Sequence, residues 1–211
     1  MVIIDVFADI ACPWCYVGER RLKRALEAKG VRAEVRWHPY ELQPAMPREG
    51  LPWDEMVEKK FGGWERARPM FQHVQTAGAE EGIRFDFERV ASAPNSRDAH
   101  RVMLLAQEKG RFWEAAEAIF AAYFTEGRDV GSAEVLAEVA GSVGLDAEEV
   151  RGVLAGDRFV AEVEKSEAAA AAGGISGVPF FVFNGRFGLS GAQPMEVFEM
   201  ALDRAGGVPA G

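Results

Sequence analysis

The feature that most constrains this chain is a pair of cysteines three positions apart, at the junction between an apolar segment and a helical one. Cys12 and Cys15 are the only cysteines among the 211 residues. The almost continuously apolar run from Val2 to Ala8 predicts a strand buried on both faces. The apolar spacing from Trp14 to Lys29 predicts a helix. A strand leading into Cys-x-x-Cys at a helix start is typical of thiol–disulfide chemistry.

The helix start predicts different roles for the two sulfurs. Cys12 precedes the first turn, where unpaired backbone N–H groups and the helix dipole favour negative charge, so we expect it to be the attacking thiolate. Pro13 suits the first helical position, because the N–H that it lacks would have no partner there. Cys15, about one turn further on, is the predicted resolving thiol. The central hypothesis is therefore a protein dithiol–disulfide oxidoreductase.

Two other uses of such a pair are less favoured. Structural zinc sites usually take four Cys or His ligands, and the chain offers only His38, His73 and His100 besides the pair. We therefore predict no metal site. A disulfide that closes so short a loop removes little chain entropy, which argues against a purely structural bond. In a reducing cytosol a lone pair is more often catalytic.

Charge and hydropathy exclude several classes of partner. The chain carries 24 Lys and Arg against 33 Asp and Glu, a net charge of −9. No basic cluster interrupts this balance, so nucleic acid and anionic membranes are not expected partners. No stretch approaches the length of a membrane span. The N-terminus has no basic region of the kind found in signal peptides, and we predict a cytoplasmic location.

The order of predicted elements indicates an α/β fold with a mixed central sheet. The alternation from Val31 to Trp37 predicts a second strand, and it completes a β-α-β unit. The cysteines then lie at the carboxyl end of the first strand, where open α/β sheets bind ligands. Asn184-Gly185 between two apolar runs predicts an antiparallel hairpin. The predicted segments are 1–43 and 157–211 for the two halves of the sheet domain, and 44–156 for an inserted all-helical domain.

Local signals predict the helices of the insertion. Four of them are expected at Trp53–Phe61, Trp64–Glu81, Arg97–Lys109 and Arg111–Thr125. Asn95 belongs to the predicted cap of the third helix, and Ser132 and Asp146 are predicted caps of two shorter ones. On the first helix of the chain the charged residues are expected to lie largely on the exposed side, namely Arg20, Arg21, Lys23, Arg24 and Glu27.

A second motif stands far along the chain. Gly177-Val178-Pro179 directly precedes the predicted strand Phe180–Phe183. The first residue of a strand is a position that tolerates proline, so Pro179 could simply begin the strand as a trans residue. An X-Pro bond is also the place where a cis peptide is accessible.

Taken together, these motifs resemble the DsbA-like thioredoxin superfamily. The resemblance is closer to the FrnE-like branch, which groups with 2-hydroxychromene-2-carboxylate isomerases and kappa-class glutathione transferases. It covers nearly the whole chain. The motifs that carry it are Asp9 with Cys12 to Gly18, Pro94 to Arg101, Gly127 to Val130, Gly177 to Phe181, and Ser190 to Gln193.

The resemblance implies a thioredoxin fold interrupted by a helical domain, with a cis Val178–Pro179 bond beside the cysteines. It implies that the backbone of Val178 docks the substrate chain and that Pro179 keeps other groups away from the sulfurs. Substrates would be protein or small-molecule disulfides, and no cofactor is implied. The related enzymes supply an alternative, a glutathione-dependent isomerase or transferase in which Cys12 positions or activates glutathione. Gln193, before a helix start suited to an anionic group, is a candidate contact in that case.

Three further residues have predicted roles. Trp14 supplies no charge to Cys12, so we expect a less oxidising pair than in a Cys-Pro-His-Cys enzyme. Asp9 is a candidate for proton transfer to Cys15. His100 is interpreted as a polar packing residue, with a proton shuttle as the alternative.

A third hypothesis for the function of the protein, a chaperone-like binding module, requires neither cysteine.

Overall fold

A four-stranded mixed sheet forms the centre of the molecule. The structure is a computed structural model and describes residues 1–206. The strand order is β2-β1-β5-β6; β1 runs parallel to β2 and antiparallel to β5, and β6 pairs antiparallel with β5. These strands are β1 (Val2–Ala8), β2 (Ala33–Pro39), β5 (Phe180–Phe183) and β6 (Phe187–Ser190). Two shorter strands, β3 (Leu51–Pro52) and β4 (Ser92–Ala93), pair with each other.

Helices surround this sheet and fill the long middle of the chain. They are α1 (Pro13–Lys29), α2 (Trp53–Phe61), α3 (Trp64–Glu80), α4 (Arg97–Glu108), α5 (Phe112–Phe124), α6 (Ala133–Ser142), α7 (Ala147–Ala155), α8 (Val160–Ala172) and α9 (Met195–Arg204). Helix α1 contacts α9, α5 and α3, whereas β2 contacts α4 and α8. No helix within residues 1–206 combines the length and apolar character needed to cross a membrane.

The predicted fold class is confirmed: a mixed sheet interrupted by a helical segment. The interrupting segment is not entirely helical, because the β3–β4 ladder joins residues 51–52 to 92–93. The ladder closes α2 and α3 into a loop of chain, an arrangement that the helical periodicity of this region could not indicate. Of the predicted second half of the sheet domain, residues 207–211 lie outside the described residues.

The predicted hairpin is present, and its turn explains its sequence. Asn184 and Gly185 have φ angles of 52° and 64°, the left-handed conformation that the central residues of a tight hairpin turn require. The Asn184 side chain accepts a hydrogen bond from the Ile3 N–H at 2.8 Å and donates one to the Ala205 carbonyl at 2.9 Å. The turn is therefore tied to the start of β1 and the end of α9.

Side-chain caps agree with the sequence in part. Asp146 accepts hydrogen bonds from the N–H groups of Glu148 and Glu149, as predicted for a cap. Ser132 occupies the cap position of α6, but its side chain makes no cap hydrogen bond. Asn95 accepts from the Arg97 N–H at 3.0 Å and caps α4 from one residue before the helix boundary.

One of the five charged residues expected largely on the exposed side of α1 is an exception. Arg21 is buried. Its guanidinium reaches carbonyl oxygens of Ala192 and Gln193 and the carboxylate of Glu81. A helical pattern cannot reveal this, because the partners come from the end of α3 and from the loop before α9.

An aromatic cluster joins the sheet domain to the helical segment. Tyr16, in α1 directly after Cys15, stacks on Phe120 of α5 at 5.1 Å between ring centroids and meets the edge of Phe85 at 5.8 Å. Phe85 in turn stacks on Phe87, which stacks on Phe71 of α3. Because such rings bury much apolar area and prefer specific geometries, the cluster holds the helical segment against the start of α1.

Candidate active site

Cys12 is the residue that caps the N-terminus of α1. Its backbone is extended (φ −106°, ψ 111°), and Pro13 follows as the first helical residue. The Cys12 N–H donates to the Asp9 carbonyl at 3.0 Å, and the Cys12 carbonyl accepts from the Cys15 N–H at 3.0 Å. These two bonds form the turn that carries the chain from β1 into the helix, so both sulfurs lie at the carboxyl end of a central strand.

The Cys15 sulfur is the more deeply buried of the two. Cys15 is 1 % exposed and Cys12 is 5 % exposed. Burial raises the pKa of the Cys15 thiol well above its ordinary value, and the neighbouring Cys12 raises it further. The backbone N–H of Asp9 donates to the Cys15 sulfur at 3.5 Å, and this hydrogen bond acts to lower the pKa of Cys15. Cys15 is therefore kept as a thiol, which suits a group that reacts second.

A loop from the far end of the chain faces Cys12. The Val178–Pro179 peptide bond is cis, as the resemblance implied. The Cys12 thiol donates to the Val178 carbonyl at 3.8 Å, and the Gly191 N–H donates to the Pro179 carbonyl at 2.8 Å. Within residues 1–206 the Val178 N–H has no hydrogen-bond acceptor. Val178, the residue predicted to dock substrate, thus has its carbonyl at the Cys12 sulfur and its N–H free.

Gly18 allows this loop to approach the helix. A Cβ atom at position 18 would lie 3.0 Å from Cγ of Pro179 and 3.1 Å from Cζ of Phe181. Such distances are too short for an unstrained contact. The absent side chain therefore lets α1 pack directly against the cis-proline and β5.

Asp9 is buried beneath the turn, and both oxygens of its carboxylate accept hydrogen bonds. Its Oδ1 accepts from the Ala11 N–H at 3.0 Å, and its Oδ2 accepts from the Leu42 N–H at 2.7 Å. Burial acts to raise the pKa of Asp9, but the His100 side chain and these two N–H groups outweigh it, so the pKa is lowered. It is the backbone N–H of Asp9, and not the carboxylate, that bonds the Cys15 sulfur. This geometry supports a structural task for the carboxylate; its predicted part in proton transfer stays a prediction.

His100 is buried at the start of α4, close to Asp9. The Trp37 indole N–H donates to Nδ1 of His100 at 3.2 Å. Because an indole N–H can only donate, Nδ1 is the acceptor and the ring proton lies on Nε2. Nε2 lies 3.4 Å from Oδ1 of Asp9, without the alignment of a full hydrogen bond. The ring thus joins β2 to the buried carboxylate, in keeping with the packing interpretation.

The other predicted site residues make their contacts away from the two sulfurs. Trp14 is half-buried and packs against His73 of α3, with 5.2 Å between ring centroids. Asn95 donates to the Met46 carbonyl at 2.8 Å besides capping α4. Gln193 donates its amide N–H to the Ser190 carbonyl at 2.8 Å, within the loop that leads to α9. None of these contacts involves a cysteine.

Glu19 is a buried acid that the sequence analysis did not single out. It lies one turn after Cys15 in α1, and neither carboxyl oxygen has a hydrogen-bond partner within the described part of the chain. Burial, reinforced by the nearby Glu117, raises the pKa of Glu19 to about 8. Its spacing was the available signal, because Cys15, Glu19 and Leu22 share one apolar face of the helix.

Two cavities lie on the side of the helical segment, and the smaller one adjoins the site. One, of about 60 Å³, is bordered by Asp9, Ala11 and Pro13. The other is an open groove of about 740 Å³ between α2, α3 and the segment before β4. Both are lined by Trp53, Phe71 and Phe87. Among residues 1–206 no group of three or more His, Cys, Asp or Glu side chains is placed to hold a metal ion.

A family comparison covers almost all of the described structure. The model of the DSBA-like thioredoxin domain matches residues 3–203. A crystal structure of a probable DsbA oxidoreductase from Streptomyces coelicolor is 38 % identical, with a TM-score of 0.88, and the match covers 97 % of this chain and 90 % of that one.

Two more distant structures share the fold. A 2-hydroxychromene-2-carboxylate isomerase is 17 % identical with a TM-score of 0.71, over 96 % of this chain and 95 % of that one. The cytosolic disulfide reductase DsbM from Pseudomonas aeruginosa, solved with glutathione, is 21 % identical with a TM-score of 0.70, over 96 % of this chain and 98 % of that one. At these identities the likeness concerns the fold alone.

Proposed function

Because the chain belongs to the DsbA-like thioredoxin family, whose members include thiol–disulfide oxidoreductases, we propose that it exchanges dithiols and disulfides through Cys12 and Cys15. The observation that carries the proposal is the placement of Cys12. Cys12 occupies the N-cap position of α1, and its sulfur faces the Val178 carbonyl, beside the free Val178 N–H, while Cys15 lies deeper in the protein. An incoming disulfide therefore meets Cys12 before Cys15.

The exchange proceeds in two steps. The Cys12 thiolate attacks one sulfur of the substrate disulfide; a bond forms between protein and substrate, and the other substrate sulfur leaves as a thiolate that takes up a proton. Cys15 then loses its proton and attacks the Cys12 sulfur, which forms the Cys12–Cys15 disulfide and releases the second substrate thiol. The substrate gains two electrons and two protons, and the protein loses the same number. The reverse sequence donates a disulfide.

The raised pKa of Cys15 suits the second step. A thiol with a high pKa is a poor nucleophile while free, so Cys15 does not compete with Cys12 for substrate. Once Cys12 is bonded to substrate it carries no negative charge, and one of the causes that raise the pKa of Cys15 disappears. The mixed disulfide thus promotes its own resolution.

Substrate docking follows from the backbone at Val178. An extended peptide can pair in β fashion with the Val178 N–H, which has no acceptor among residues 1–206. Main-chain pairing holds a peptide disulfide beside Cys12 without demanding a particular sequence. We propose disulfides in proteins or small molecules as the substrates. The cytoplasm remains the predicted location.

A glutathione-dependent isomerase is the second candidate. The groove of about 740 Å³ between α2, α3 and the segment before β4 is large enough for a small apolar substrate, and it carries four aromatic side chains. In this alternative Cys12 positions or activates the glutathione sulfur, and Cys15 is dispensable.

Cys15→Ser separates the two candidates. With a peptide disulfide we expect this variant to accumulate a mixed disulfide at Cys12, seen as an added peptide mass that dithiothreitol removes. Cys12→Ser is the matched control and should take up no peptide. Reaction of the wild type with the same peptide should end in an intramolecular disulfide. If Cys12 takes up only glutathione and Cys15→Ser keeps full turnover with an apolar substrate, the exchange mechanism is wrong and the isomerase is favoured.

A further inference from the structure

A buried arginine connects the helix that carries the cysteines to the loop before α9. Arg21 lies in α1, and its side chain is 10 % exposed. Its Nη1 donates to the Ala192 carbonyl at 2.8 Å and to the Gln193 carbonyl at 3.4 Å. Its Nε donates to Oε1 of Glu81 at 2.8 Å. One planar guanidinium thus donates hydrogen bonds both to the carbonyl oxygens of the loop and to the carboxylate of Glu81.

The carboxylate is itself held in place. Glu81, at the C-terminal end of α3, has a side chain that is 6 % exposed. Its Oε2 accepts from Arg24, and its carbonyl accepts from Arg20 at 3.1 Å. Three arginines of α1 therefore converge on the end of α3. Of these three arginines, Arg21 is the one whose hydrogen bonds also reach the loop.

The loop continues directly to the reacting sulfur. Gly191, next to Ala192, donates its N–H to the Pro179 carbonyl at 2.8 Å. The residue before Pro179 is Val178, whose carbonyl accepts from the Cys12 thiol at 3.8 Å. A continuous series of hydrogen bonds and chain links thus runs from Glu81 through Arg21, Ala192–Gly191 and Pro179 to the backbone that faces Cys12.

We propose that Arg21 is a positioning residue, which sets the distance and orientation of the Val178 backbone relative to Cys12 and so controls how well a peptide disulfide docks. This inference rests on the proposed exchange reaction. The planar fork of arginine can donate along two directions from a fixed frame, whereas the single ammonium of lysine cannot reproduce both contacts. Lysine at position 21 keeps the charge but cannot link the loop to Glu81. Without that link the Val178 backbone shifts, and its N–H no longer pairs with the substrate chain in register.

Arg21→Lys and the matched control Arg24→Lys test the proposal. Arg24 bonds the same carboxylate but makes no hydrogen bond to the loop. Two rates are measured on fully folded samples: reaction with a peptide disulfide, and alkylation of Cys12 by iodoacetamide, which requires no docking on Val178. We expect Arg21→Lys to lower kcat/KM for the peptide roughly tenfold, since small displacements at a reacting centre cost one to two orders of magnitude. Alkylation should change less than about twofold, and Arg24→Lys should change neither rate by more than that.

The outcomes separate a positioning role from a purely structural one. If Arg21→Lys and Arg24→Lys behave alike, or if both rates fall together in Arg21→Lys, the positioning role is overturned while the exchange reaction stands. If the wild type is alkylated at Cys12 but never reacts with the peptide disulfide, the proposed function fails and this inference fails with it.

A second variant covers the case in which Arg21→Lys does not fold. Gly191 has a φ of 80°, a conformation that residues other than glycine rarely adopt. A Cβ atom added there would have as its nearest neighbour the side-chain nitrogen of Gln193, at 3.7 Å. Gly191→Ala therefore strains the same link without touching Arg21. We expect the same separation of the two rates, and equal rates in Gly191→Ala and wild type would overturn the proposal.

Discussion

The thiol of Cys12 faces the carbonyl oxygen of Val178 at 3.8 Å, although the two residues are 166 positions apart in the sequence. This pairing brings the attacking sulfur and the substrate-docking backbone together at one edge of the sheet. It depends on the antiparallel alignment of β1 with β5, which places Phe7 opposite Phe180. The strand that leads to the cysteines and the strand that follows the cis-proline are direct neighbours.

Gly18→Ala should disturb this pairing. The new methyl group would press on Pro179 and on the buried ring of Phe181, and such overpacking costs about 1–3 kcal/mol. The gain in helix propensity, about 1 kcal/mol, offsets only part of that cost. We expect a net loss of unfolding free energy in urea and slower reaction with a peptide disulfide. Gly152→Ala, in α7 with open space around the new atom, is the control and should be stabilising.

Glu19→Gln should change how stability depends on pH. The pKa of Glu19 is raised to about 8 in the folded protein from an ordinary value of 4.5. Between these values the folded state binds more protons than the unfolded state, so stability falls as pH rises through this window. At about 1.4 kcal/mol per pKa unit, the loss amounts to a few kcal/mol.

The neutral amide introduced by Glu19→Gln cannot ionise, so urea unfolding of this variant should lack the decline. We expect similar stability for wild type and variant near pH 5, and a clear advantage for the variant near pH 9. Parallel curves for the two proteins would contradict the raised pKa.

Asp9→Asn should act in the opposite pH range. The pKa of Asp9 is lowered in the folded state from 3.8, so the charged form adds stability that is present above that value and lost as pH falls through the folded pKa. An amide in its place turns an N–H toward a backbone N–H of Ala11 or Leu42. We expect a loss of about 2–3 kcal/mol at neutral pH.

Acid unfolding checks this assignment for Asp9. The stability difference between wild type and Asp9→Asn should be constant above the ordinary pKa of 3.8 and shrink as the pH falls below it, because the unfolded carboxylate takes up a proton at a higher pH than the folded one. A difference that stays constant below that pH as well would mean that the carboxylate charge contributes nothing.

Trp14→His should make the cysteine pair more oxidising. An imidazole beside Cys12 can carry a positive charge that favours its thiolate, and stabilising the reduced form raises the reduction potential. We expect the potential to become less negative by about 30 mV or more in glutathione buffers, the equivalent of roughly 1.4 kcal/mol. Trp14→Phe is the neutral control and should leave the potential near the wild-type value. An unchanged potential in Trp14→His would show that residue 14 does not tune the pair.

Local sequence determined much of this protein. An apolar strand, a Cys-x-x-Cys at a helix start and an Asn-Gly turn were each sufficient to predict their elements, because strand burial, helix capping and hairpin turns depend on neighbouring residues. The motif around Pro179 became informative through its resemblance to a family, which the match over residues 3–203 confirms.

Tertiary structure decided what no local pattern could show. The burial of Arg21 depends on the end of α3 and the loop before α9, which pack against α1, and the hydrogen bonds of the Asp9 carboxylate depend on Leu42 and His100, which other segments bring to it. The approach of Val178 to Cys12 likewise follows from strand pairing across most of the chain. The physical reason is the same in each case: burial, pKa and hydrogen-bond partners are properties of a side chain's surroundings, and those surroundings exist only once distant segments have packed together.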